Sequence, residues 1–335
     1  GFQNSSIRLA DPARPALDPV FPNLKLNLML AFLSSSLLAV GAAILSSALD
    51  KTLRDPEQVA RTLNIEVVGS LPMVKAWRSK LPAGRGEAGS KALIQANGNL
   101  MAASFGEAIR TLRNAILLAD FDRGLRCLMI TSACPGEGKT TMAAHLALAH
   151  AARGHKTLLV DCDLRRPGIQ RFFGLNGADG LAQVILKGTG WREALLKVEE
   201  APNLDILPAG RPARRAADVV GKVLTDILEE AATQYDLILV DSPPLLGLPE
   251  PYEIAVAADG VLVLALAGQT EREAVGSALQ ALTRLRVNVV GVVLNQVTRE
   301  TSDGYYRYGY YGKYYKHYYH RDADSGGPRD GERLG

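Results

Sequence analysis

Gly138-Lys139-Thr140 closes a short loop, ACPGEGKTT, that starts at Ala133 and follows the apolar run CLMITS. The stretch after it, MAAHLALAHAA, has the composition of a helix. A buried strand that enters a glycine-bearing loop and leaves it as a helix suits phosphate groups. Main-chain N–H groups and the positive helix end face the anion, and a lysine adds a point charge. The pattern assigns phosphate contacts to Pro135, Gly136, Glu137, Gly138, Lys139, Thr140 and Thr141, and the Thr140 hydroxyl to Mg²⁺. Ala133 stands where the common form of the loop has its first glycine. ATP with Mg²⁺ is therefore the expected ligand.

Two more apolar runs end in carboxylates. DLILVDSPP, Asp236 to Pro244, delivers Asp241 to a strand end, where it can hold the water shell of Mg²⁺. TLLVDCDLRRP, Thr157 to Pro167, delivers Asp161 and then Asp163, followed by Arg165 and Arg166. Asp241 could be a simple turn cap, and the aspartates and arginines a structural ion-pair group. A phosphate loop in the same domain favours chemistry instead, with one carboxylate for the metal and one for a nucleophile. The chain offers nucleophiles in one place. Nine of its eleven tyrosines, Tyr305, Tyr306, Tyr308, Tyr310, Tyr311, Tyr314, Tyr315, Tyr318 and Tyr319, lie in YYRYGYYGKYYKHYYH near the C-terminus. A phenol has an ordinary pKa near 10, so attack by it on a γ-phosphate benefits from a proton acceptor.

The elements that must position these residues follow from the hydrophobic pattern. From Leu100 onward the runs CLMITS, TLLVDCD, LDILPA, DLILVDS, GVLVLALA and VVGVVLN alternate with helix-length stretches. This indicates an α/β domain with a mainly parallel sheet covered by helices on both faces. Ligands of such sheets bind beyond the carboxyl ends of the strands, where Asp161, Asp241 and Asn295 fall. Upstream, Leu28–Leu49 contains no charged residue. As a helix it would span roughly 33 Å, enough to cross a bilayer. DPARPALDPVFP before it favours an extended path. After the helix, Lys51–Pro72 reads as a short ordered element, with NIEVVGSLP as a possible strand and turn. Lys75–Asn99 is a Gly-, Ala- and Lys/Arg-rich linker whose basic character could rest on anionic lipid. The predicted organisation is an extracytoplasmic proline-rich end over 1–27, a transmembrane helix over 28–49, a juxtamembrane linker over 50–99, a catalytic domain over 100–300 and a tyrosine-rich tail over 301–335. The fragment-like start at Gly1 suggests that the natural chain extends upstream. A net charge of +3 gives no argument for nucleic acid. Three scattered cysteines imply no disulfide framework.

Together these motifs resemble the bacterial protein-tyrosine kinases, a P-loop NTPase class distinct from the eukaryotic kinase fold. PGEGKT, Pro135–Thr140, matches their Walker A; Leu158–Asp163 matches their A′ motif; Leu237–Pro244 matches their Walker B. Glu107, Arg110 and Arg113 match the Glu-x-x-Arg-x-x-Arg signature by which subunits meet, and Tyr305–Tyr319 the C-terminal cluster. The upstream part resembles the end of a Wzz-like chain-length regulator of polysaccharide co-polymerases. The resemblance implies that Lys139 and Thr140 serve phosphates and metal, that Asp161 assists the tyrosine, and that Asp163 and Asp241 organise Mg²⁺. It sets Asn295 near the adenine. It further implies a homo-oligomeric ring (an octamer in the family), autophosphorylation of the tail in trans, and control of exopolysaccharide or capsule synthesis and export. The implied partners are the export and polymerisation machinery, a protein-tyrosine phosphatase and the lipid bilayer, with no nucleic acid. Because ATP is cytosolic, the catalytic part faces the cytoplasm of a bacterial inner membrane. RPARRAADVV, Arg211 to Val220, departs from the family's usual turn and reads as a solvated loop.

Three rival readings share parts of this evidence. ParA/MinD-type ATPases share strand-end residues but carry a further loop lysine where Cys134 stands here. An ATP-binding assembly scaffold without kinase activity needs the same loop, although intact Lys139, Asp161, Asp163 and Asp241 argue for turnover. A single-strand nucleic-acid surface would suit the tail's Arg307, Lys313 and Lys316 but not the apolar helix.

Overall fold

The computed structural model describes residues 22–74, 100–119, 124–175 and 179–298. The proline-rich segment up to Phe21, the basic linker and the tail tyrosines lie outside them. The chain divides into two units, Gly1–Lys51 and Thr52–Gly335.

The first unit contributes one helix, α1 (Leu24–Leu49). Asn23 caps it by accepting from the Leu26 N–H at 3.4 Å, which starts the helix before the uncharged stretch itself begins. At 26 residues it is about 39 Å long, and its large apolar side chains are exposed. The hydroxyls of Ser34 and Ser35 donate back to the Ala31 and Phe32 carbonyls, which satisfies them within the helix. By length and composition it can cross a membrane.

The second unit is built on an eight-stranded sheet. Its strands are β1 (Val67–Pro72), β2 (Cys127–Ser132), β3 (Thr157–Asp161), β4 (Leu196–Val198), β5 (Ala201–Leu207), β6 (Leu237–Asp241), β7 (Gly260–Leu266) and β8 (Val289–Val297). They lie in the order β1-β8-β7-β2-β6-β3-β5-β4. All neighbours are parallel except β4 and β5. Every residue of β2, β3, β6 and β7 is buried, as expected of strands covered on both faces. On one face α3 (Leu100–Ala119) and α4 (Lys139–Ala151) pack Ile109, Leu112, Ile116, Met142 and Leu146 against Leu128, Ile130 and Leu239. On the other, α8 (Val220–Ala231) and α10 (Arg272–Arg284) pack Leu224, Leu228, Val275 and Leu282 against Met129, Val240 and Val263. Here α5 (Ile169–Phe173), α6 (Leu181–Lys187), α7 (Arg214–Ala217) and α9 (Glu250–Ala257) complete the numbering, with α2 (Pro56–Leu63) near the start of the unit.

All six apolar runs expected as strands are strands, and two edge strands join them, one expected from NIEVVGSLP as a possible strand and turn and one not expected. The first lies inside the predicted linker 50–99. Asp55 caps α2 by accepting from Glu57 N–H, Pro56 fixes its first turn, and left-handed Asn64 ends it. β1 then adds to the sheet beside β8. The residues 52–74 thus belong to the domain, and its start moves upstream from 100. The pairing partner lies more than two hundred residues on in the chain, so the local pattern offers the strand but not its neighbour. The second, β4, is a three-residue hairpin partner of β5.

Gly291 shows how closely β1 docks. A Cβ there would lie 2.6 Å from the Glu66 carbonyl oxygen and 2.4 Å from Val68 Cγ2. Gly291→Val should therefore cost about 1–3 kcal/mol and lower the melting temperature by several degrees in a thermal unfolding scan. An unchanged transition would show that β1 is not held in the sheet.

Candidate active site

The site forms where β2, β3 and β6 end. Because β6 lies between β2 and β3 in register, Ile130 pairs with Asp241 and Asp241 with Asp161. The loop after β2 is held in shape from within. Gly136 and Gly138 have φ of 83° and 93°, the left-handed region that turns the main chain around an anion. Gly138 could not be replaced for a second reason: a Cβ would sit 2.3 Å from Asn295 Nδ2. That amide donates to the Glu137 carbonyl at 2.7 Å. The Glu137 carboxylate, 2 % exposed, accepts from Cys134 N–H at 2.8 Å and from the Thr270 hydroxyl. Burial raises its pKa while these donors oppose the rise. Glu137 thus braces the loop with its side chain, and only its main chain is left to face a ligand. Thr270 in turn accepts from Leu266 N–H at the end of β7. The loop after β6 is laced to the same place, with Ser242 N–H on Ile130 O, Leu245 N–H on Ser132 O and Thr131 Oγ1 on Pro243 O.

Lys139 opens α4, and its Nζ lies 3.2 Å from Asp163 Oδ2, with both side chains almost enclosed. Asp163 also accepts from Arg166 N–H at 2.9 Å. Asp161 is fully buried. One oxygen accepts from Asp163 N–H at 3.1 Å, and the other from Gly168 and Ile169 N–H at 3.1 and 3.0 Å. Burial raises its pKa, the neighbouring Asp241 charge adds to the rise, and the three N–H groups oppose it. Asp241 is also fully buried, yet neither oxygen completes a hydrogen bond of ordinary geometry. Burial raises its pKa too, partly offset by the Lys139 charge and the nearby Thr140 hydroxyl. A buried carboxylate with two open oxygens beside a threonine hydroxyl suits a divalent cation, which would supply the compensating charge.

The structure gathers Lys139, Thr140, Asp161, Asp163, Asp241 and Asn295 at one sheet end, as the sequence required. It separates the signature on α3. Glu107 and Arg110 form an exposed ion pair at 3.0 Å, whereas Arg113, 7 % exposed, donates to Ala149 O at 3.0 Å inside its own protomer. Two supporting residues had no sequence signal. Thr270 braces the loop, and Glu250, 2 % exposed, accepts from Arg165 Nε across the A′ turn.

Comparison with known proteins fits this geometry. Residues 126–289 match a family model described as an AAA domain. The tyrosine-protein kinase YwqD of Bacillus subtilis is 36 % identical over 203 residues, covering 60 % of this chain and 85 % of YwqD. The chain belongs to the bacterial tyrosine-protein kinases. Tyrosine-protein kinase Wzc of Salmonella typhimurium is 27 % identical over 309 residues, which are 91 % of this chain but 42 % of Wzc. The chain thus spans less than half of that longer relative. Among solved structures, the kinase domain of Escherichia coli tyrosine kinase ETK superposes with a TM-score of 0.65 over 73 % of this chain and 96 % of that one, at 24 % identity, and shares the fold. The VpsO kinase domain is 32 % identical with a TM-score of 0.52, covering 57 % of this chain and 94 % of that one. For this tyrosine kinase family fold, nucleotide binding with a divalent metal is implied.

Two substitutions test the geometry. Asp241→Asn removes a buried charge and should stabilise metal- and nucleotide-free protein by about 1–2 kcal/mol. Because the folded pKa is raised, the charge penalty is absent below the ordinary carboxylate range and complete above the folded value. The gain in melting temperature should therefore be larger at pH 8 than at pH 5, and Mg²⁺ should no longer add to it; a loss of stability at pH 8 would contradict the geometry. Asn295→Ala frees the Glu137 carbonyl and should weaken nucleotide binding by about 5–10-fold in calorimetry, the worth of one hydrogen bond. An unchanged affinity would remove Asn295 from the loop's support.

Proposed function

We propose that this chain transfers the γ-phosphoryl group of ATP to tyrosines of its own C-terminal cluster, Tyr305 to Tyr319, on an adjacent copy within a ring. The observation that carries this reading is the unpartnered, buried Asp241 carboxylate beside Thr140, one strand from the Lys139–Asp163 pair. In this reading, N–H groups of residues 136–141 hold the phosphates, Lys139 exchanges Asp163 for a phosphate oxygen, and Thr140 and Asp241 hold the metal with Asp163. Mg²⁺ bound there would neutralise charge that develops on the phosphates.

The phenol oxygen bonds to phosphorus as the bond to the β,γ-bridging oxygen breaks and ADP leaves. The phenolic proton passes to Asp161. Its raised pKa makes it a better acceptor than an exposed carboxylate, and its oxygens carry three hydrogen bonds where about four can be accepted. Because Asp161 is fully buried, that transfer runs through one water or through movement of the Gly168 turn. Asn295 would border the adenine while bracing the loop. Glu107 and Arg110 would meet a neighbouring copy, with Arg113 fixing α3 to α4 behind them. The apolar α1 would anchor the protein in a bacterial inner membrane, with the catalytic domain in the cytoplasm.

Each phosphate adds roughly −1.5 to −2 charge to a tail that starts out basic. Cycles of modification and removal by a phosphatase would assemble and loosen the ring, and so regulate exopolysaccharide or capsule chain length and export.

Incubation of the full chain with labelled ATP and Mg²⁺, followed by mass-spectrometric mapping, should place label on Tyr305–Tyr319. Lys139→Met should abolish it. Asp161→Asn should slow it about 10²-fold or more with nucleotide affinity changed only a few-fold. A tail that stays unmodified in the parent, with nucleotide bound, would favour a non-catalytic assembly scaffold.

A further inference from the structure

The turn that carries Asp161 and Asp163 continues into a groove of about 450 Å³ on the protein surface. Arg165, Arg166, Gln170 and Arg171 line it, with Gly210 and Pro212 opposite, and no carboxylate is among its lining residues. The three guanidinium groups differ in what they face. Arg165 is neutralised by Glu250 and Asp218. Arg166 is tied to the site through its main chain, donating to Asp163 Oδ1, while its exposed side chain pairs with no carboxylate among the described residues. Arg171, also exposed, uses its Nε on Pro167 O at 3.2 Å, and among the described residues its terminal nitrogens have no partner. The groove therefore presents two uncompensated, fork-shaped cations beside the catalytic carboxylates. That is the arrangement that binds a phosphate monoester bidentately, in a cavity of the size that takes a small ligand.

We infer that this groove binds a phosphotyrosine already made on the tail, and so holds that tail while its next tyrosine is modified. The inference rests on the kinase reading and names how its substrate is retained. Between Tyr305 and His320 the tail carries Arg307, Lys313 and Lys316 and no Asp or Glu. An unmodified tail is thus repelled by two arginines. A single phosphate supplies a dianion and reverses the sign of the local interaction. Successive tyrosines in the cluster are never more than three residues apart. A phosphotyrosine held in the groove therefore keeps another phenol within about 10 Å of extended chain. Tethering of this kind raises the effective concentration of the next acceptor. Modification of one tail should then run on to several sites rather than spread singly over many tails.

The test uses the full chain without nucleotide and with EDTA, so that no transfer can occur. Fluorescent synthetic peptides spanning residues 303–321, unmodified or phosphorylated at Tyr311, serve as probes in anisotropy titrations. The phosphorylated peptide should bind at least about 10-fold more tightly, a difference of about 1.4 kcal/mol, and the margin should shrink to under about 3-fold in Arg166→Gln/Arg171→Gln. Arg171→Gln alone, a change at an exposed side chain, should give an intermediate margin and guards against a folding defect in the double variant. An equal margin in parent and variants would overturn the assignment, as would no margin in the parent. Vesicles of phosphatidylglycerol that bind through the same two arginines while the phosphopeptide does not would also overturn it, since the groove would then read lipid phosphate. Because the peptides are pre-phosphorylated, tight binding with no tail labelling from ATP would leave the groove standing and remove the kinase reading alone.

Discussion

Asp161 and Asp241 share one register position on adjacent parallel strands, both without solvent. Burial raises the proton affinity of both; the Asp241 charge adds to the rise at Asp161, and the Asp163 charge to that at Asp241. The fold treats the two unequally. Asp161 receives three main-chain N–H groups from the turn that follows it, so its charge organises that turn. Asp241 receives none. Leaving a buried carboxylate unpaired costs more than most single contacts return, and such groups persist where a ligand repairs them. In the proposed reading, this asymmetry sends the cation to Asp241 and the proton to Asp161.

The phosphate loop is prepared in the same way, from behind. Its glycines permit the main-chain turn, but permission is not rigidity. Rigidity comes from Glu137, whose carboxylate bonds within the loop and to Thr270, and whose carbonyl is held by Asn295. These braces come from the ends of β7 and β8, strands on the far side of β2 from the two aspartates. A site reached from both sides of its central strand keeps its N–H groups aimed without a ligand to order them, and preorganised dipoles of this kind are what stabilise a transferring phosphoryl group.

Much of this was legible in the residues. The Gly138-Lys139-Thr140 loop and the carboxylates closing TLLVD and LILVD could be placed because a strand end is a chemical address in a parallel sheet. Four of the six central strands, β2, β3, β6 and β7, were readable because burial on both faces makes them continuously apolar. What escaped notice is non-local. β1 could be read as a possible strand, but its partner lies across most of the chain, and β4 is too short to carry a pattern. Thr270 and Glu250 are ordinary residues in sequence, and only the packing of α9 and the β7 turn gives them their partners. Arg113 belongs to a sequence signature that places it between subunits, yet its guanidinium turns inward to the Ala149 carbonyl at the end of α4. Helical spacing puts Glu107, Arg110 and Arg113 near one another, but it does not say which of them meets solvent.

The β7 turn joins two parts of the chain that the sequence keeps apart. Leu53 follows the apolar helix by four residues; its N–H donates to Thr270 O and its carbonyl accepts from Gly268 N–H, at 2.9 and 2.7 Å. Thr270 uses its hydroxyl to hold Glu137, so a single residue pairs with the start of the domain through its main chain and with the phosphate loop through its side chain. Leu53 is fully buried and sits in the same core as Val59 and Val275. Pulling that segment out would expose apolar surface, break two main-chain bonds and release the hydroxyl that steadies the loop, all in one step. Contacts that are lost together hold together. The entry of the chain into the domain is therefore part of the scaffolding of its phosphate loop.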